Sequence, residues 1–107
     1  MNKKTNVLDF DLSPVNAKRL LTEIVKESSK VFFSDHAEKR MKQRKITRMQ
    51  VIRCLQHGRF SEGPYLDIKG NWKFNIDTFS AGEHLTVVAA FERDASGNHV
   101  VVITAYK

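Results

Sequence analysis

The spacing of apolar residues changes once along this chain, near Gly58, and that change limits the folds open to it. Before it, apolar residues recur every three or four positions: Ala17, Leu20, Leu21, Ile24 and Val25, then Ala37 and Met41, then Val51, Ile52 and Leu55. This is the period of helices that bury one stripe. After it, Trp72, Phe74, Ile76 and Thr78 alternate with Lys73, Asn75, Asp77 and Phe79, the period of a half-buried strand. Helices followed by strands imply an α+β domain. We expect two or three N-terminal helices packed on one face of a four-stranded antiparallel meander sheet. With 107 residues, one domain over residues 13–107 is expected, preceded by a flexible polar arm over residues 1–12.

Local signals set the boundaries. Ser13 and Pro14 read as an N-cap and a first helical residue, opening a helix expected to run to Ser28. Val31, Phe32 and Phe33 form either an extended segment or a staple before the next helix. Ser34 caps that helix, which ends near Lys45. Thr47 and Gln50 have the spacing of a capping box, and the third helix stops at Gly58, a residue suited to a left-handed C-cap. Residues 59–67, broken by Gly63 and Pro64, suit an edge strand or a bulge. Trp72 is expected in the core. His84–Arg93 and Val100–Ala105 are apolar on both faces, as central strands are, with a hairpin loop over residues 94–98.

The positive charge is concentrated. Between Asp35 and Arg59 stand eight lysines and arginines against two acidic residues, a net of +6 that equals the net of the whole chain. A focused basic field attracts polyanions, nucleic acid foremost; the plainer reading is a solvated helical face. The single cysteine, Cys54, allows no internal disulfide and no cysteine zinc cage, so a reducing cytoplasm is expected. No apolar run reaches the ~20 residues of a membrane span, and no secretory signal is expected, because no apolar stretch follows the N-terminal lysines.

His36, Arg40 and Arg44 are spaced four and four. Each such step turns a helix by about 40°, so the three share one side. An imidazole can carry a proton and two guanidiniums can grip a phosphate. Metal-free RNA cleavage needs little more than a base, an acid and cations at phosphorus. The plainer reading has His36 packing near the helix start and the arginines in water. Lys39, Arg48 and Arg53 extend the basic surface as nucleic-acid contacts. Thr104 and Tyr106 share one face of the last strand and offer hydroxyls. His57 is read as a helix C-terminal residue, and His84 and His99 as exposed strand openers. The histidines lack ligand spacing, so no metal is expected. No phosphate loop or catalytic elbow is visible, so no cofactor is expected either.

Ser34-Asp35-His36-Ala37, then Arg40, Arg44, Ile46-Thr47, Val51, Gly58 and the closing Val101-Val102-Ile103-Thr104-Ala105-Tyr106 resemble the domain-of-unknown-function family DUF4258. The resemblance covers about residues 31–107. The family is similar, at the level of fold, to the barnase, colicin and RelE-like metal-independent ribonucleases. It therefore implies an RNA-directed site between the second helix and the sheet, built on His36, Arg40, Arg44 and Thr104, with Tyr106 beside them. In that reading the chain is an RNA-binding, toxin-type endoribonuclease, with His36 as base or acid and a protein inhibitor as a natural partner. The alternative is a non-catalytic basic module that binds an acidic protein or nucleic acid. Residues 14–28, outside the motif, are a candidate surface for a homodimer. The residues leave open whether the domain cuts, and in which oligomeric state.

Overall fold

The computed structural model describes residues 12–80 and 82–107. The arm expected over residues 1–12 lies outside them except for Leu12, which is buried in the core. Helix α1 spans Pro14–Val25, with the Ser13 hydroxyl accepting the Asn16 N–H at 3.2 Å. It ends three residues short of the expected Ser28. The segment from Lys26 to Lys30 has no apolar side chain to bury, and helical turns without packing are marginal. A single 3-10 turn, Ser28–Lys30, follows.

Helix α2 spans Asp35–Arg44 and α3 spans Arg48–His57. The capping box of α3 is complete: Thr47 Oγ1 accepts the Gln50 N–H at 3.1 Å and Gln50 Oε1 accepts the Thr47 N–H at 2.8 Å. The left-handed cap falls at Lys45, with φ of 58°, not at Gly58, whose φ is −75°. Gly58 is required for a different reason. A Cβ there would sit 2.6 Å from the carbonyl oxygens of both Asp77 and Cys54. The chain leaves α3 so close to the sheet that no side chain fits.

The sheet has five strands, not four. β1 is Val31–Phe33, β2 Arg59–Leu66, β3 Trp72–Ser80, β4 Glu83–Asp94 and β5 Gly97–Tyr106, in the spatial order β1-β5-β4-β3-β2. Strands β2 to β5 form the expected antiparallel meander. The addition is β1, which pairs in parallel with β5 from Val31↔Val100 to Phe33↔Val102. Three residues are too few to show alternation, and a parallel partner at the far end of the chain leaves no local turn signal. β2 is an edge strand with two register shifts.

All three helices cover one face of this sheet. Ala17, Leu21, Ala37, Met41, Val51 and Leu55 join Phe74, Ile76, Val87, Ala89, Val100 and Val102 in one buried cluster. Phe74, fully buried, lies 4.9 Å from the Phe91 ring and 5.2 Å from the Phe60 ring. Trp72 is buried, as its alternating position implies. Lys18 ties α1 to the end of α3 by donating to the carbonyls of Gln56 and Gly58 at 3.2 and 3.0 Å. Cys54 is wholly buried, and burial pushes its thiol pKa up, so it is an inert filler. No helix among the described residues is long and apolar enough to cross a membrane.

Candidate functional site

Helix α2 is held in place before it presents any chemistry. The Ser34 hydroxyl accepts the Ala37 N–H at 3.0 Å. Asp35 and Glu38 sit in the first turn, and Lys42 and Arg44 in the last, the arrangement that the helix dipole favours. Ala37 and Met41 are the buried stripe. Both ends of the helix are tied to β5. Ser34 donates its N–H to Val102 O at 3.1 Å and its hydroxyl to Ile103 O at 3.3 Å. Arg44 donates to Ala105 O at 2.9 Å. Strand β1 stops at Phe33, and α2 continues along the edge of β5 that β1 leaves uncovered.

His36, Arg40 and Arg44 lie one residue round the helix from Met41 and Ala37. His36 is exposed, and its ring has no hydrogen-bond partner among the described residues. Arg40 is half-buried and donates to Gln43 Oε1 at 3.2 Å. Thr104 pairs with Val88, and Tyr106 with Thr86. Their neighbours Val87, Ala89, Val102 and Ala105 belong to the core, so by alternation both hydroxyls occupy the sheet face turned away from the helices. Arg44 reaches the backbone of β5 between these two residues. No hydrogen bond joins His36 or Arg40 to Thr104 or Tyr106 among the described residues.

The basic surface differs from residue to residue. Arg48 is bound to Glu38 at 2.7 Å, with its guanidinium 4.8 Å from the centre of the Phe33 ring. Its charge is answered within the chain. Lys39, Arg40, Lys42, Arg44, Lys45, Arg53 and Arg59 have no carboxylate partner among the described residues. His99, expected exposed, is largely covered. Its side chain is only 12% exposed, 3.7 Å from both Glu92 and Asp94, with its ring edge-on to Phe32.

A second polar cluster emerges at the end of the β3–β4 hairpin. His84 Nε2 lies 2.8 Å from Asp77 Oδ2, and the Ser61 hydroxyl donates to Asp77 Oδ1 at 2.7 Å. Thr86 Oγ1 is 3.5 Å from His84 Nε2. Burial alone would raise the Asp77 pKa, but the hydrogen bonds from Ser61, His84 and Thr86 outweigh it and hold the carboxyl below its usual value. Ser61, Asp77 and His84 border an open cleft of about 890 Å³, also lined by Arg53, His57, Arg59, Phe79 and Glu83. Pairings Phe79↔His84 and Asp77↔Thr86 put the polar groups of the two strands on one face. Only that mirror symmetry about the turn signals the cluster in the sequence, and Ser61 joins it from a strand whose register is irregular. Among the described residues, no group of three or more histidine, cysteine, aspartate or glutamate side chains is arranged to hold a metal.

Neither a curated protein nor a solved structure matches the chain. One family model does, over residues 33–107, a span that takes in α2, α3, the whole meander and every candidate residue named above. The chain belongs to the family described as Domain of unknown function (DUF4258).

Proposed function

We propose that this domain binds RNA through the basic surface of α2 and α3 and cleaves it without a metal ion, in the manner of toxin-type, RelE-like ribonucleases. The observation that carries the reading is charge left unanswered: seven lysines and arginines between residues 39 and 59 lack a carboxylate partner among the described residues. A phosphate backbone supplies the missing anions. His36, exposed beside Arg40 and Arg44, is the proton carrier, and the two guanidiniums neutralise charge at phosphorus. Lys39 and Arg53 lengthen the contact, whereas Thr104 and Tyr106 lie on the sheet face turned away from the helices and Arg48 is already paired with Glu38. A reducing cytoplasm suits such a protein, and an acidic inhibitor protein suits the same surface.

The second reading is a basic module that binds and does not cut. Two observations favour it: the His36 ring has no partner among the described residues to fix its orientation, and Arg44 already donates to Ala105 O. One experiment separates the two. Purified protein is mixed with single-stranded and structured RNA in EDTA, and both binding and products are followed against salt. Cleavage that falls about 100-fold or more in His36→Ala, with binding kept, is the expected result. Tight binding with no products from any RNA selects the module. Affinity that does not fall with salt removes both, because phosphate contacts release counterions.

A further inference from the structure

The cleft at the β3–β4 end of the sheet joins Arg53 and Arg59 to groups that the α2 reading leaves unused, Asp77, Phe79 and His84. We propose that it is a binding site for one phosphorylated nucleotide, distinct from the His36 stripe and independent of whether that stripe cuts RNA.

Its size comes first. About 890 Å³ lies within the range of pockets that take small ligands. Its charge comes next. Of the two acidic groups that line it, Asp77 is already engaged on both oxygens, by Ser61 and by His84, and Glu83 is paired with Lys107 at 3.4 Å. Arg59 stands opposite Asp77 in the sheet register but forms no ion pair with it, and Arg53 on α3 has no carboxylate partner among the described residues either. Two guanidiniums therefore line the cleft without a carboxylate bound to either among the described residues, which suits a phosphate that each can grip through paired N–H groups. His57 lines the same cleft.

Phe79 supplies the third part. Its ring is 71% exposed where it lines this cleft, with Phe60 and Leu85 also on the lining. An aromatic face beside a cationic anchor is the arrangement on which a nucleobase stacks. His84 completes the site. Its side chain is 51% exposed, and one ring nitrogen is held by Asp77, so the ring orientation is fixed and the other nitrogen is left to meet a ligand hydroxyl or phosphate oxygen. Phosphate alone would use the arginines and leave Phe79 idle; a nucleotide uses both.

The test is a titration of the full chain followed through the imidazole NMR signals of its four histidines. Uridine monophosphate, uridine and inorganic phosphate are added in separate series. Saturable movement of the His84 and His57 signals, with His99 still, is expected from uridine monophosphate, at least about tenfold tighter than from inorganic phosphate. Phe79→Ala should erase that difference, and Arg53→Ala or Arg59→Ala should weaken both ligands about tenfold. All three positions are partly or wholly at the surface, and unchanged backbone spectra would verify that each variant is folded. The proposal is overturned if the signals stay still, if only His36 moves, if phosphate binds as well as the nucleotide, or if the Phe79 and Arg variants bind like the parent.

Discussion

The seam between α2 and β5 and the cleft beyond β3 and β4 are built in opposite ways. Along the seam, residues close in sequence stand in a row on one helix. The helix is pinned at both ends by Ser34 and Arg44, while His36 between them has no side-chain partner among the described residues. In the cleft, Ser61, Asp77 and His84 come from three strands and hold one another at 2.7 and 2.8 Å. The seam offers charge around an imidazole that nothing orients among the described residues, and the cleft offers polar groups that orient one another. Polyanion attraction needs the first, since it acts over distances near a Debye length. Recognition of a single ligand needs the second, since hydrogen bonds fail outside a narrow geometry.

If the two regions share only the core beneath them, a core change should damage both and a local change only one. The largest effect is expected from Phe74→Ala, which empties the centre of the sheet and should cost about 3–5 kcal/mol in denaturant unfolding. NMR signals from α2 and from the cleft should weaken together. If α2 stays ordered while the cleft is lost, the common core is not what supports both.

Asp77→Asn comes next and concerns the cleft alone. The Asp77 pKa is depressed in the folded chain. The ionised form therefore stabilises the fold above the ordinary carboxylate range, and that stability is lost as pH falls through the folded value. Unfolding measured from neutral pH downward should show this loss in the parent and less of it in the variant. The variant should also be less stable at neutral pH by about 1–2 kcal/mol, the scale of hydrogen bonds to a charged acceptor. An unchanged acid profile would mean that the Ser61 and His84 contacts contribute little.

Ser34→Ala is the smallest and sharpest change. It removes the N-cap of α2 and the bond to Ile103 O, with an expected cost of about 1 kcal/mol. Amide exchange should quicken in the first turn of α2, and the His84 ring signal should not move. A shift at His84 would show that the seam and the cleft are coupled.

How far the sequence discloses these regions follows from the distance over which their residues interact. The α2 stripe is fully legible, because 36, 40 and 44 are neighbours by helical pitch alone. Caps at Ser13, Ser34 and Thr47 are legible for the same reason, being bonds over three residues. β1 is not, since its partner Val100 lies at the other end of the chain and no periodicity spans the gap. Gly58 is half legible: its place at the end of α3 follows from pattern, but its purpose depends on the Asp77 carbonyl pressing from the sheet. Asp77 and His84 look like ordinary polar positions of a half-buried hairpin until the register sets them on one face.

By itself, then, the order of residues determined that helices precede strands, where the helices are capped, and that the positive charge gathers between residues 35 and 59. Those are consequences of backbone periodicity and short-range bonding, which act within a few residues. The tertiary structure alone decided that β1 closes the sheet in parallel, that α2 lies along the β5 edge, and that Ser61, Asp77 and His84 meet. Contacts between distant segments arise when apolar faces pack and strand registers lock, and neither the partner nor the register is written into the local pattern of either segment.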